Sequence, residues 1–169
     1  GLAPELAIKK LENYVKTNIA LKEDEDADVA TDILKKQYAS KAGMMRLYIV
    51  ALELLNIPYE IVVGCSRADA VFDKSFDSWS FLDEYLLYFP ATKKFLDPGS
   101  PIFRYGMIDQ FMEGNYALFI QKKKEGQEVY PEGEVRLIPF STIVDNHDDL
   151  AMEVSFSPTM DQVQGKVTG

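Results

Sequence analysis

The chain has 169 residues, enough for one domain of ordinary size with an appendage, and 47% of them are hydrophobic, which suffices for a buried core. Its 18 basic and 27 acidic residues give a net charge of -9, so phosphate backbones and anionic bilayers are excluded as favourable partners. No apolar run is long enough to span a membrane, and the single cysteine excludes an internal disulfide.

The first predicted element is an amphipathic surface helix over Pro4–Asn18, where apolar residues recur at helical spacing between lysines and glutamates. The acidic run 23–28 follows. It lacks the spaced glycine and distal glutamate of a helix-loop-helix calcium site, so we interpret it as a solvated loop. Asp28 or Thr31 is then expected to cap a short helix that runs through Lys35.

A helix over 40–55 is the central element predicted from the sequence. Ser40 is a favourable N-cap residue, and Asn56 tolerates the left-handed conformation that often ends a helix. The helical stripe is formed by Met44, Leu47, Tyr48, Ala51, Leu54 and Leu55. Because further apolar residues fill the other side, we expect a buried helix, followed by a tight turn and a buried strand over 59–64.

A long polar and aromatic loop, 66–81, follows this strand. Loops of this length without periodicity are usually functional or mobile. Phe76, Trp79 and Phe81 are candidates for a surface on which a sugar or peptide stacks, with Phe72 nearby. The alternative is that these rings close the edge of the core.

Three later apolar runs, 85–90, 95–96 and 116–120, predict strands that pair with 59–64 in an antiparallel sheet under the central helix. Beyond them, alternation within 134–139 and 150–156 is typical of half-exposed strands. The sequence therefore predicts a first domain over 1–122 and a β-rich C-terminal extension over 123–169, the start of a following β-domain.

The order of these elements resembles the bacterial transglutaminase-like domains, which have a papain-like cysteine peptidase core. The resemblance covers about 4–120 and rests on Tyr38, the short cap, the hydrophobic helix and the run Asn56-Ile57-Pro58 that enters a strand. In that family the residue three after the tyrosine is the nucleophilic cysteine, since a helix N-terminus lowers the pKa of a thiol. Here that residue is Lys41.

The hairpin of 85–90 and 95–96 carries the second part of the resemblance. Enzymatic members have a histidine at the start of the first strand and an aspartate, followed by proline, at the end of the second. This chain has Glu84 at the histidine position and keeps the aspartate as Asp97. Lys41, Glu84 and Asp97 are thus the degenerate triad positions, and we expect the Lys41 ammonium within about 4 Å of the Asp97 carboxylate, with Glu84 next nearest.

Other catalytic sets are less coherent. Cys65, His147 and Asp97 would supply a nucleophile, a base and an orienting acid, but nothing in the sequence brings them together. Cys65 is interpreted as a small buried hydrophobe, and His147 lies among aspartates typical of a solvated turn, so we predict no metal site and no cofactor. Ser40 beside Lys41 forms a serine–lysine pair, although a hydroxyl that caps a helix is already hydrogen-bonded.

The sequence therefore predicts an α+β, transglutaminase-like fold that has lost catalysis and serves as a structural, ligand-binding or protein-binding module. Its partners would be other domains of the same polypeptide, a protein or a glycan, and not nucleic acid or a membrane. The resemblance implies a larger bacterial envelope protein, periplasmic or extracellular. Two alternatives remain: a hydrolase or acyl transferase using Ser40 or Lys41 with Glu84 and Asp97, and a carbohydrate- or peptide-binding module acting through 66–81.

Overall fold

The computed structural model describes residues 3–22, 29–72, 80–141, 151–159 and 161–168. In this part of the chain, three helices and nine strands give a mixed α+β fold. The chain divides into two units, Gly1–Pro139 and Phe140–Gly169. All three helices and the largest sheet belong to the first unit.

Two helices precede the central one. Helix α1 (Pro4–Asn18) begins with proline at a position where a missing N–H costs nothing, and it buries Ile8 and Val15. Helix α2 (Ala30–Lys36) has Val29 as its N-cap residue and no side-chain cap. The predicted cap by Thr31 is therefore wrong, since this residue lies inside the first turn, and Asp28 lies outside the described residues.

A pair of short parallel strands sets the start of the central helix. Strand β1 (Ala20–Leu21) pairs with β2 (Tyr38–Ala39), in register Ala20 to Tyr38. Gln37 ends α2 in the left-handed conformation, with φ of 59°, and turns the chain into β2. No sequence pattern predicts this pairing, because two-residue strands carry no periodicity.

Helix α3 (Lys41–Leu54) is the predicted central helix. The Ser40 side chain accepts a hydrogen bond from the Gly43 N–H at 3.0 Å, and Asn56 follows the helix with φ of 53°, as its residue type predicts. One face buries Met44, Met45, Leu47, Tyr48 and Leu52. The other exposes Val50 and Leu54. The expectation of a helix buried on nearly every side is therefore wrong, because apolar composition alone does not show which flank is covered.

The main sheet has five strands in the order β5-β4-β3-β6-β7, and every neighbouring pair is antiparallel. The strands are β3 (Glu60–Gly64), β4 (Glu84–Phe89), β5 (Lys94–Leu96), β6 (Tyr116–Glu125) and β7 (Glu128–Leu137). The prediction that the segments near 59–64, 85–90, 95–96 and 116–120 share one antiparallel sheet is confirmed.

The two faces of this sheet belong to different apolar clusters. Leu87, Phe89 and Leu96 pack with the helices. On the other face, Val62 and Phe119 pack under the segment after β5, which contributes Met112. In-register pairs such as Ile61 with Leu87 and Val62 with Leu86 assign each residue to its face. The helix α3 thus packs on one face of the sheet, as predicted.

The boundary between the two units lies later than the predicted 122–123. Strand β7 pairs with β6 along its whole length, from Tyr116 with Leu137 to Glu125 with Glu128. Ile138 then remains buried beside Asn115, and only beyond Pro139 does the second unit begin. The alternation in 134–139 predicts half-exposed strand correctly, but the strand is an edge of the main sheet.

The second unit contains a hairpin of β8 (Ala151–Phe156) and β9 (Val163–Thr168). Met152, Val154 and Phe156 lie on one exposed face, opposite Val167 and Val163. A two-stranded hairpin with an uncovered apolar face is marginally stable alone. Throughout the described part of the chain, no helix combines the length and apolar character needed to cross a bilayer.

Candidate functional site

A cleft opens beside the N-terminus of α3, where the sequence placed the degenerate triad. Its volume is about 220 Å³, and Lys41, Glu84 and Asp97 all line it. Three structural features converge there: the first residue of α3, the first residue of β4, and the residue after β5. Ser66, Ser100 and Asp109 add polar groups to its wall, and Leu86, Phe103 and Met112 add apolar ones.

Lys41 forms an ion pair at the mouth of this cleft. Its Nζ lies 3.6 Å from Glu84 Oε2, and both side chains are a little over 40% exposed. Its aliphatic stem crosses Gly99, where an added Cβ would lie 3.6 Å from Lys41 Cγ. Burial raises the pKa of Glu84, and the Lys41 charge opposes that shift.

Asp97 turns back into its own loop. Its Oδ1 accepts hydrogen bonds from the N–H groups of Gly99 at 2.9 Å and Ser100 at 3.0 Å. Burial raises the pKa of Asp97 although these hydrogen bonds, and then the charges of Lys16 and Lys41, act in the opposite direction. Among the described residues, Glu84 is the carboxylate within 4 Å of Lys41. The expected order of the two acids is therefore wrong, because backbone N–H groups hold Asp97.

Ser40, the candidate alternative nucleophile, has a structural role in this geometry. Its Oγ accepts the hydrogen bond from Gly43 N–H that caps α3. Removal of such a cap costs about 0.5–2 kcal/mol. The Lys41 ammonium, the proposed base for this hydroxyl, is paired with Glu84.

The sequence did not predict a buried ion pair on α1, between Lys16 and Glu12, whose lysine charge acts on Asp97. Lys16 and Glu12, one turn apart on α1, form an ion contact of 3.0 Å with both side chains almost fully buried. Lys16 also donates to the backbone carbonyl of Phe103, a residue of the cleft wall. Burial, followed by the Glu12 charge, raises the pKa of Tyr48. The only sequence signal was a glutamate and a lysine on the apolar side of α1.

Cys65 is not part of the cleft. It is 2% exposed, and its Sγ lies 3.3 Å from the Ala70 carbonyl and 3.5 Å from the Asn115 side-chain nitrogen. Burial raises the pKa of the Cys65 thiol. Its interpretation as a small buried side chain agrees with this position. His147 lies outside the described residues, so the set of Cys65, His147 and Asp97 stays untested.

Asn115 is a second residue that the sequence did not single out. It is 2% exposed, its Oδ1 accepts from the N–H groups of Phe72 and Tyr116, and its nitrogen donates to the carbonyls of Cys65 and Ala70. A single side chain thus fixes both ends of the turn that follows β3. An isolated asparagine before a strand gives no sequence signal of such a role.

The predicted aromatic surface is only partly described. Phe72 is buried and packs edge-on against Phe81, with ring centroids 5.9 Å apart. Phe76 and Trp79 lie outside the described residues. The Phe72 ring is therefore core rather than a stacking platform, while Phe81 is half-buried. The alternative that these rings close the core edge is supported for this one pair.

Within the described ranges, no group of three or more histidine, cysteine, aspartate or glutamate side chains is arranged to hold a metal ion. No protein-family model, curated protein or solved structure matches this chain. Its fold and the geometry of the cleft are therefore the observations on which a functional assignment rests.

Proposed function

We propose that this chain is a transglutaminase-like module without catalysis, and that the cleft beside Lys41 binds a short peptide segment. One observation carries the proposal: Lys41 occupies the first position of α3 and pairs with Glu84 at the mouth of an open cleft. This ion pair offers one cationic and one anionic contact. The hydroxyl and apolar groups along the wall suit the mixed polarity of a peptide.

The roles of the candidate nucleophiles support the proposed absence of catalysis. Ser40 caps the helix, Lys41 is ion-paired, and the only thiol of the chain, Cys65, is buried with a raised pKa. Acyl transfer through a covalent intermediate needs an activated nucleophile with a base in hydrogen-bond reach. Besides its acids and its ammonium, the described cleft wall carries the hydroxyls of Ser66 and Ser100, and the Ser100 oxygen accepts hydrogen bonds from the N–H groups of Ile102 and Phe103.

The wider setting follows from the resemblance alone. Bacterial transglutaminase-like domains imply a larger envelope protein, with the remaining domains of the same polypeptide as partners and a periplasmic or extracellular location. The exposed apolar face of β8 and β9 supports further β-structure beside the second unit, since a lone hairpin of this kind is marginally stable.

A hydrolase or acyl transferase using Ser40 or Lys41 with Glu84 and Asp97 is the second candidate. One observation favours it: burial raises the pKa of both Glu84 and Asp97, and both carboxyls line the same cleft. Raised carboxyl pKa values are frequent at catalytic sites, and also in structural ion pairs. Hydrolysis of p-nitrophenyl acetate that disappears in Ser40→Ala or Lys41→Met would establish this candidate and overturn the first.

The proposed function is tested by titrating the ¹⁵N-labelled protein with trialanine and, separately, with tri-N-acetylglucosamine. We expect saturable shifts of the amide signals of Lys41, Glu84 and Gly99 with the peptide. Lys41→Met should abolish them, whereas the matched control Lys124→Met, an exposed lysine at the end of β6, should not.

If only the glycan causes shifts, and these occur at the Phe81 amide, the result would instead support binding through the aromatic loop. If neither ligand causes saturable shifts, the proposal of a binding cleft is overturned.

A further inference from the structure

A second cavity lies at the opposite end of α3. It is a groove of about 610 Å³, within the range of small-molecule sites. Its apolar lining comes from the turn after α3 and from three strands, and includes Ile57, Pro58, Ile61, Ile120 and Pro131. Three chain segments that are distant in sequence thus build one apolar trough, which neither the resemblance nor the Lys41 cleft accounts for.

One wall of this groove carries a preformed polar cluster. Glu53 Oε1 accepts a hydrogen bond from the Tyr59 hydroxyl at 3.0 Å and is paired with the Lys122 ammonium. These hydrogen bonds, from Lys122 first and Tyr59 second, lower the pKa of Glu53, so this group is a carboxylate at neutral pH. The cluster is an ion pair without net charge, and its Glu53 carboxylate, held by the Tyr59 hydroxyl, is an anionic acceptor beside apolar surface.

The two charged partners differ in exposure and in what else holds them. Glu53 lies on the last turn of a packed helix and is held by Tyr59, whereas the Lys122 side chain is 63% exposed on a strand that leaves the core. Lysine has a long flexible stem, so its ammonium can move into water at little cost. A second ammonium can then take its place on Glu53.

The charge balance decides which head group fits. A ligand carboxylate would have to take Lys122 from Glu53 and leave two anions together in a chain of net charge -9. A ligand ammonium on Glu53 releases the Lys122 ammonium into water, and the acidic excess of the chain favours this added positive charge over an added negative one. We propose that this groove binds a small organic amine, with its ammonium on Glu53 and its apolar body along Ile61 and Ile120.

Three probes with one apolar body separate head-group recognition from general apolar binding: 4-phenylbutylamine, 4-phenylbutyrate and 4-phenylbutanol. Each is titrated into the ¹⁵N-labelled full chain. The proposal expects saturable shifts of the Glu53, Tyr59, Ile120 and Lys122 amides with the amine, and at least about tenfold weaker binding of the other two. Equal binding of the three, shifts elsewhere, or no saturation would overturn it.

Two variants are expected to change the affinity for the amine in opposite directions. Glu53→Gln should weaken binding of the amine about tenfold, because the charged acceptor is lost. Lys122→Met should strengthen it severalfold, since the competing ammonium is removed. Glu128→Gln, which removes one negative charge at the first position of β7, should leave binding unchanged.

An increase in Lys122→Met cannot arise from a misfolded variant. Unchanged or weaker amine binding in Lys122→Met would contradict the exchange of cations on Glu53. The Lys41 cleft takes no part in this test, so failure here and failure of the proposed function are separate results.

Discussion

Several polar side chains of the first unit stabilise the fold by hydrogen-bonding buried backbone groups, whether or not they line the cleft. Asn115 satisfies backbone groups on both sides of the turn after β3, and Asp97 satisfies the two N–H groups that follow it. Buried polar groups of this kind are costly when one partner is removed. Their loss should therefore appear in stability before it appears in binding.

Asn115→Ala should lower the free energy of unfolding by about 2–5 kcal/mol, because it removes the hydrogen bonds that Asn115 makes with the Phe72 N–H and the Cys65 carbonyl in the buried turn. Urea denaturation followed by far-UV circular dichroism measures the change. Asn18→Ala, which removes an exposed amide that donates to the Tyr14 carbonyl, serves as the control and should change little. Equal effects of the two substitutions would refute a special role for Asn115.

Asp97 predicts a pH dependence with a defined sign. Its pKa is raised in the folded protein, mainly by burial. The folded state therefore binds this proton more tightly than the unfolded chain, and the resulting stabilisation is complete below the unfolded pKa and lost as pH rises through the folded pKa. In Asp97→Asn, which retains an acceptor oxygen for Gly99 and Ser100, this loss is absent.

The difference in unfolding free energy, Asp97→Asn minus wild type, should thus grow more positive as pH rises from about 3.5, below the usual pKa of aspartate, towards neutrality. Urea denaturation at a series of pH values measures it. A constant difference would mean that folding leaves the Asp97 pKa unchanged, and a difference that falls with rising pH would mean that the fold stabilises the carboxylate. Either result would contradict the prediction.

At the scale of elements, one charged pair ties the central strand to the sheet edge. Glu60 on β3 is 8% exposed and pairs with Arg136 on β7. The Arg136 guanidinium carbon lies 3.9 Å from the centroid of the Phe119 ring on β6, the strand between them. The guanidinium thus spans β6 and combines an ion pair with a cation–π contact.

Arg136→Ala should reduce the free energy of unfolding by about 2–3 kcal/mol, since the buried Glu60 carboxylate loses its partner. Arg136→Lys should recover only part of this loss, because an ammonium does not stack on Phe119 as a planar guanidinium does. Thermal unfolding by calorimetry measures both. Lys123→Ala, which removes an exposed pair with Glu132 on the same hairpin, is the control and should have little effect.

Full recovery in Arg136→Lys would show that charge alone matters at this position, and that the contact with Phe119 contributes little.

Across the whole chain, local sequence patterns predict the helices well, whereas contacts between residues distant in sequence were mostly not predicted. Helices α1 and α3 and the capping role of Ser40 follow from periodicity and residue type. The proximity of Lys41 and Glu84 was predicted from the family resemblance and not from a local pattern. Which flank of α3 is covered depends on strands that are distant in sequence, and so its exposed Val50 and Leu54 were not predicted.

The same reason explains the misplaced boundary and the missed polar groups. The run 122–125, rich in lysine, is typical of a solvated turn, but its pairing with β7 makes it the end of a long strand. Pairing partners such as Glu60 and Arg136 are 76 residues apart, and no local pattern links them. The expectation that Asp97 faces Lys41 is wrong because the N–H groups of Gly99 and Ser100 compete for the Asp97 carboxylate, and no local pattern shows this competition.

We propose that Lys41 and Glu84 stand where a cysteine and a histidine would act, and the thiol pKa of the double variant Lys41→Cys/Glu84→His decides whether they do. Alkylation by iodoacetamide across pH, with the label located by mass spectrometry, separates this thiol from the buried Cys65. The single variant Lys41→Cys is the control, since its Glu84 carboxylate should hold the thiol pKa up. We predict a pKa below about 7.5 in the double variant and at least about one unit higher in the single variant. Equal values near the ordinary 8.5 of a free thiol would contradict the claim.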